Sequence, residues 1–229
     1  VLRGSGVKRV RMVIHPPRYT GLRLDAVMVG DRPVTVPVGS RVTVVARAPV
    51  ALSAARGLLA DGRVVRGTLL GEHIFRVELV ARADGDMAFA YRSRRGIWYV
   101  GDVGPAYRVR ADLKPDVRVQ PADPVITLER AGVLPLRWEV TDDYGVVEVR
   151  LMWRTDLGDE GGLVLGRGPR FGKKRKRHLG GVLKWDLEKL RLGVGQRVTF
   201  HVEARDNRTD TAGGSRSESP RQTVVIRGE

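Results

Sequence analysis

The sequence contains no cysteine, few aromatic residues and no long hydrophobic run, and each absence excludes a class of structure. Without cysteine the chain has no disulfide, no thiol nucleophile and no cysteine-ligated zinc or iron–sulfur cluster. Aromatic residues make up only 6% of the chain, so the core must be built mainly from Val, Leu, Ile and Ala. No stretch approaches the roughly 18 apolar residues of a transmembrane helix. The chain also begins without Met or a signal-like segment, which predicts an internal piece of a larger protein.

The apolar residues that are present alternate with polar ones, at the period of two that is typical of half-buried strands. Residues 41–47, 133–140 and 198–204 show this alternation most clearly. Turn residues such as Asp61-Gly62 separate the runs at short spacing, without a helical stripe between them. This spacing is typical of a sandwich, so we predict an all-β fold of two tandem immunoglobulin-like antiparallel β-sandwich modules.

A polar segment with three prolines, residues 112–124, predicts a stiff junction between the modules. We therefore place a first Ig-like β-sandwich module at residues 1–115 and a second, Ig-like or fibronectin-III-like module at residues 118–229. The second module carries a predicted basic loop insertion near residues 156–182. Residues 183–192 favour a short helix over a strand.

The charge of the chain raises the question of a polyanionic partner, since the formal net charge is +15 and the pI is about 11.0. Residues 117–229 contain 21 basic and 16 acidic residues, and six of these basic residues lie in one glycine-flanked segment. The six are Arg170, Lys173, Lys174, Arg175, Lys176 and Arg177. Such a segment can bind the phosphates of nucleic acid, anionic lipid or an acidic envelope polymer. The alternative is a solvated loop without a dedicated partner, and no aromatic residue interleaves the basic ones as single-strand binding requires.

A second candidate site consists of carboxylates and an amide on two turns of the second module. Its members are Asp142, Asp143, Asp206, Asn207 and Asp210. If both turns lie at one pole of the sandwich, these oxygens form a candidate Ca²⁺ site, because Ca²⁺ takes six to eight oxygen ligands. The alternative is that each Asp accepts hydrogen bonds from the backbone of its own turn. Apart from possible Ca²⁺, we expect no cofactor.

The sequence offers no catalytic constellation. The histidines at positions 15, 73, 178 and 201 show no metal-ligand spacing, and we expect His201 to point outward from its strand. No serine stands in a nucleophile-elbow context. We therefore predict no catalytic residue and no enzyme activity.

Four motifs in order resemble one known family. They are Pro16-Pro-Arg-Tyr-Thr-Gly21, Val36-Pro-Val-Gly-Ser-Arg-Val42, Leu134-Pro-Leu with Asp142-Asp-Tyr-Gly-Val146, and His201-Val-Glu-Ala-Arg-Asp-Asn207. In these motifs the chain resembles the DUF4175 family of bacterial membrane-anchored proteins of unknown function. The resemblance implies extracytoplasmic β-modules, on the periplasmic or outer face of a membrane, with an anchor outside this sequence. The family brings no catalytic residues to carry over.

From these observations we expect non-catalytic interaction or spacer modules of a larger bacterial envelope protein. Their partners would be other regions of that protein or other envelope proteins. The alternative is a polyanion-binding module that acts through residues 170–178.

Overall fold

A computed structural model of the chain describes residues 2–3, 7–28, 32–170, 175–209 and 214–228. The chain divides into two compact units, Val1–Asp112 and Leu113–Glu229. The described residues form strands and two short 3₁₀ turns, Arg18–Thr20 and Glu188–Leu190. None of the helical segments among them is long and apolar enough to cross a membrane. The predicted all-β fold of two sandwich modules is confirmed.

The first unit consists of two sheets. Its strands in chain order are β1 (Leu2–Arg3), β2 (Lys8–His15), β3 (Asp25–Met28), β4 (Val34–Pro37), β5 (Ser40–Arg47), β6 (Leu52–Leu59), β7 (Val64–Arg66), β8 (Thr68–Leu69), β9 (Ile74–Ala81), β10 (Gly85–Ser93) and β11 (Trp98–Arg110). One sheet has the order β1-β11-β10-β6-β7, with β4 also paired to β11, and the other has the order β3-β2-β5-β9-β8. The inner faces form one core, in which Phe75 of one sheet meets Phe89 of the other edge-on, with ring centroids 5.4 Å apart.

The second unit is also built from two sheets. Its strands are β12 (Asp116–Gln120), β13 (Val125–Leu128), β14 (Val133–Thr141), β15 (Val146–Thr155), β16 (Glu160–Arg167), β17 (His178–Asp186), β18 (Arg197–Asp206), β19 (Arg216–Glu218) and β20 (Gln222–Ile226). The smaller sheet has the order β12-β14-β17, and the larger has the order β13-β20-β18-β15-β16, with β19 also paired to β18.

Alternation of side chains explains the core of the second unit. Every second residue of β14 and of β18 is buried, as the sequence predicts. These residues join one cluster between the two sheets, where Trp185 meets Phe200 edge-on at 5.2 Å. Burying aromatic and branched side chains of this size stabilises a domain by about 1.5–3 kcal/mol each before entropy is counted.

Two local predictions are wrong. The basic insertion near residues 156–182 is not a single loop, because it contains β16 and the start of β17. The predicted helix over residues 183–192 is replaced by the end of β17 and the 3₁₀ turn Glu188–Leu190. Backbone pairing decides this outcome, since β17 pairs with β14 along nine consecutive residues. The proline-rich segment 112–124 contains the boundary between the two units, and its residues Asp116–Gln120 form β12, which pairs with β14.

Candidate functional site

The turn between β14 and β15 is organised by one carboxylate. Oδ1 of Asp142 accepts hydrogen bonds from the backbone N–H groups of Tyr144, at 2.9 Å, and of Gly145. Gly145 has a positive φ of 155°, and a Cβ there would lie 3.2 Å from Nδ2 of Asn207. The turn therefore uses Asp142 as its internal acceptor and glycine as its point of close approach.

The end of β18 lies beside this turn. Asp206 is opposite Val146 in the β15–β18 pairing, and the N–H of Asn207 donates to the carbonyl of Gly145 at 3.0 Å. Both side chains are buried. Oδ1 of Asp206 accepts the N–H groups of Arg208 at 3.0 Å and Ser215 at 2.7 Å. The two acidic turns thus lie at one pole of the second unit, which we name the acidic pole and define by Asp142, Asp143, Asp206 and Asn207.

Three carboxylate oxygens of the acidic pole are buried without a hydrogen-bond partner among the residues that the structure describes. They are Oδ2 of Asp142, Oδ1 of Asp143 and Oδ2 of Asp206. Burial raises the pKa of Asp142 from 3.8 to about 6, against the two backbone hydrogen bonds that lower it, and the carboxylates of Asp143 and Asp206 raise it further. Unpaired buried carboxylate oxygens call for a proton, a water or a cation.

The described residues of the basic segment, Arg170 and 175–177, lie beside this same pole. The segment connects β16 to β17, and its carbonyl groups accept hydrogen bonds from the acidic pole and its neighbours: Asp142 N–H to Arg177 O at 2.9 Å, Val146 N–H to Lys176 O at 2.9 Å, and Asn207 Nδ2 to Arg170 O at 3.3 Å. Arg170, Lys176 and Arg177 are exposed, and Arg175 is half-buried. Burial, reinforced by the charge of Arg177, lowers the pKa of the Arg175 guanidinium.

The structure therefore joins two candidate sites that the sequence presents as separate. Asp142, Asp143, Asp206 and Asn207 lie together, and Arg170 and residues 175–177 border them. Lys173, Lys174 and Asp210 lie outside the described residues. The assignments to polyanion or Ca²⁺ binding stay predictions.

One cluster was missed by sequence reasoning. His201, Glu203 and Glu218 each offer one possible metal-ligand atom, and these three atoms all lie within 4.8 Å of one another. Among the described residues, this is the group of three or more such side chains that meets this distance. The His-x-Glu spacing on an alternating strand places His201 and Glu203 on one face. Glu218 belongs to β19, and its position depends on a strand register that the sequence does not reveal.

Comparison with known proteins identifies the family. No curated protein matches the chain. The fibronectin(III)-like modules of Clostridium thermocellum CbhA share 15% identity, with 88% of this chain and 95% of that one covered at a TM-score of 0.30. The IG1+IG2 structure of DIP-gamma shares 13% identity, with 86% and 94% covered at a TM-score of 0.32. The family model described as "Domain of unknown function (DUF4175)" matches residues 5–226, which confirms the resemblance, and the chain belongs to that family.

Proposed function

We propose that the chain is a pair of non-catalytic modules that serve as interaction or spacer elements of a larger bacterial envelope protein. The fold supports this role because each unit has its own two-sheet core, of the kind used by modules that are strung together in longer chains. The envelope part of the proposal rests on what the family resemblance implies, namely membrane-anchored proteins with extracytoplasmic β-modules.

The observation that carries the interaction role is the exposed edge of the second unit. Strand β16 is the last strand of the larger sheet, is eight residues long, and exposes Leu163 and Val164. Strand β17 is the last strand of the smaller sheet and exposes Val182. An unpaired edge with apolar side chains is a template for addition of a strand from another segment. We therefore propose that β16 is the contact edge.

Site-specific photo-crosslinking tests this assignment in the full-length protein in its own bacterium. A photoreactive residue replaces Val164, whose exposed fraction is 45%. The matched control carries it at Ile74 of β9, which is 37% exposed but has neighbours on both sides: Arg47 of β5 lies opposite it, and its carbonyl accepts the N–H of Leu70. We expect one discrete adduct, with another envelope protein or another region of the same protein, from position 164 and none from position 74.

Other outcomes overturn parts of the proposal. Equal crosslinking at both positions, or none at position 164, contradicts the contact edge. In that case the spacer role remains to be tested by pulling residues 1–229. Two separate unfolding events, one for each unit, are expected of a spacer, and a single event contradicts it. Retention on heparin that is lost in the double variant Lys176→Ala/Arg177→Ala favours the polyanion-binding alternative instead.

A further inference from the structure

The outer face of the larger sheet of the second unit brings together one imidazole and two carboxylates. His201 and Glu203 are two residues apart on β18 and lie on the face opposite the buried Val202 and Ala204. Glu218 of β19 is directly opposite Glu203 in the antiparallel pairing. All three side chains therefore project from one face of the sheet.

Their ligand atoms are close enough to bind one ion. Each residue offers one ligand atom, and these atoms lie within 4.8 Å of one another. Nε2 of His201 is 3.7 Å from Oε2 of Glu218. The side chains of His201 and Glu203 are 17% and 21% exposed, whereas that of Glu218 is 52% exposed. The cluster is thus partly sheltered on β18 and open to solvent on the side of β19.

The charges of the cluster favour a cation. Two glutamates directly opposite each other on neighbouring strands repel, which destabilises the pairing of β19 with β18. Arg216 lies 3.4 Å from Oε1 of Glu203, but its side chain is 63% exposed, so its attraction is screened by water. Arg150 is opposite Glu203 on the other side of β18. A divalent ion between the two carboxylates would relieve their repulsion more directly than either arginine.

The backbone next to the cluster holds the ligands in place. The residue after Glu218, Ser219, donates its N–H to the carbonyl of Val202 at 2.8 Å. In return, the N–H of Val202 donates to Oγ of Ser219 at 3.0 Å. Val202 lies between His201 and Glu203, so this reciprocal pair fixes the β19 end relative to both ligands of β18. The register that places Glu218 opposite Glu203 is therefore held by these hydrogen bonds.

The donor set selects the metal. One imidazole nitrogen and two carboxylate oxygens suit Zn²⁺, whereas Ca²⁺ and Mg²⁺ prefer all-oxygen sites with more ligands. Three protein ligands leave a fourth tetrahedral position for water, and solvent reaches the cluster on the side of Glu218, whose side chain is 52% exposed. We propose that His201, Glu203 and Glu218 bind one Zn²⁺ ion, which clamps β19 onto β18.

Calorimetric titration of residues 1–229 with ZnCl₂ tests the site, with a protein that carries no polyhistidine tag and has been treated with chelator. We expect one Zn²⁺ per chain, and an affinity at least about tenfold lower in His201→Ala and in Glu218→Gln. The matched control is His73→Ala in the first unit, which should bind as the unchanged protein does. Zn²⁺ should also raise the melting temperature, because an ion that binds only the folded state stabilises it.

Specific results would overturn the proposal. A chain that does not bind Zn²⁺, or a His201→Ala variant that binds it as tightly as the unchanged protein, contradicts the site. Arg216→Gln removes a competitor for Glu203, so its Zn²⁺ affinity should be equal or higher, and loss of binding there also contradicts the arrangement. Circular dichroism in EDTA should show that Glu218→Gln melts at the same or a higher temperature than the unchanged protein, because it removes one of two like charges. If it melts lower, Glu218→Ala serves as the second variant.

Discussion

Strand β18 carries acidic side chains in two regions, and the surroundings of the carboxylates differ between them. At its end, Asp206 is buried in the acidic pole and binds two backbone N–H groups. In its middle, Glu203 lies on the outer face, where it meets another carboxylate across the strands. The first arrangement completes a turn, whereas the second sets two carboxylates side by side with only the exposed Arg216, in the described part of the chain, as an ion-pair partner of Glu203.

The carboxylate has a different role in each of these two settings. Where two backbone N–H groups donate to one oxygen, as at Asp206, the side chain stabilises the local structure and its second oxygen has no hydrogen-bond partner among the described residues. Where no backbone N–H of the described residues donates to the carboxylate, as at Glu203, the exposed Arg216 is its ion-pair partner, and the carboxylate is available to a ligand. The two regions should therefore differ in how much the fold depends on them and in which ion they bind.

The largest expected effect comes from removing the buried acceptor. Asp206→Ala leaves the N–H groups of Arg208 and Ser215 without their acceptor, and we expect the free energy of unfolding to fall by about 2 kcal/mol or more. Glu203→Gln, on the outer face of the same strand, should change it by less than about 0.5 kcal/mol. Urea unfolding of residues 1–229 followed by tryptophan fluorescence measures both, because Trp138, Trp153 and Trp185 lie in the second unit. Equal losses in the two variants would contradict the distinction.

A smaller effect concerns pH. The pKa of Asp142 is raised from 3.8 to about 6, chiefly by burial, so the folded state favours the protonated carboxyl. The stability that this group contributes is therefore fully present below about pH 3.8 and is lost as the pH rises through about 6. Asp142→Asn keeps an acceptor oxygen for the turn but cannot ionise.

The unchanged protein and Asp142→Asn should therefore differ in how steeply their free energy of unfolding changes with pH. We expect the free energy of unfolding of the unchanged protein, measured by urea titration between about pH 4 and pH 7, to decline relative to that of Asp142→Asn as the pH rises. Parallel curves for the two proteins would show that Asp142 ionises in the fold as easily as in the unfolded chain.

Sequence patterns predict those parts of this molecule that depend on local alternation. The strands β14 and β18 follow from their period of two, and the meeting of the two acidic turns follows from the order of strands in a sandwich. Strand β17 escapes prediction because Leu183, Leu187 and Leu190 have helical spacing, while pairing with β14 decides the structure.

Contacts between distant segments are beyond such patterns. The hydrogen bond from Asn207 to Arg170 joins residues 37 positions apart, and it is one of the contacts that make the acidic and basic candidates neighbours. The position of Glu218 opposite Glu203 depends on the register of the three-residue strand β19. A shift of one residue would place Ser217 there and move Glu218 to the other face.

The smallest expected effect is that of Ca²⁺ at the acidic pole. Among the described residues the pole offers three unpartnered carboxylate oxygens, fewer than the six to eight ligands of Ca²⁺, so we expect a rise in melting temperature of at most about 2 °C. Asp143→Ala should abolish this rise without breaking the turn, because Oδ1 of Asp143 is one of the unpartnered atoms. The same variant should bind Zn²⁺ unchanged, and His201→Ala should keep its response to Ca²⁺. If one substitution removed both responses, the two regions of β18 would not be independent sites.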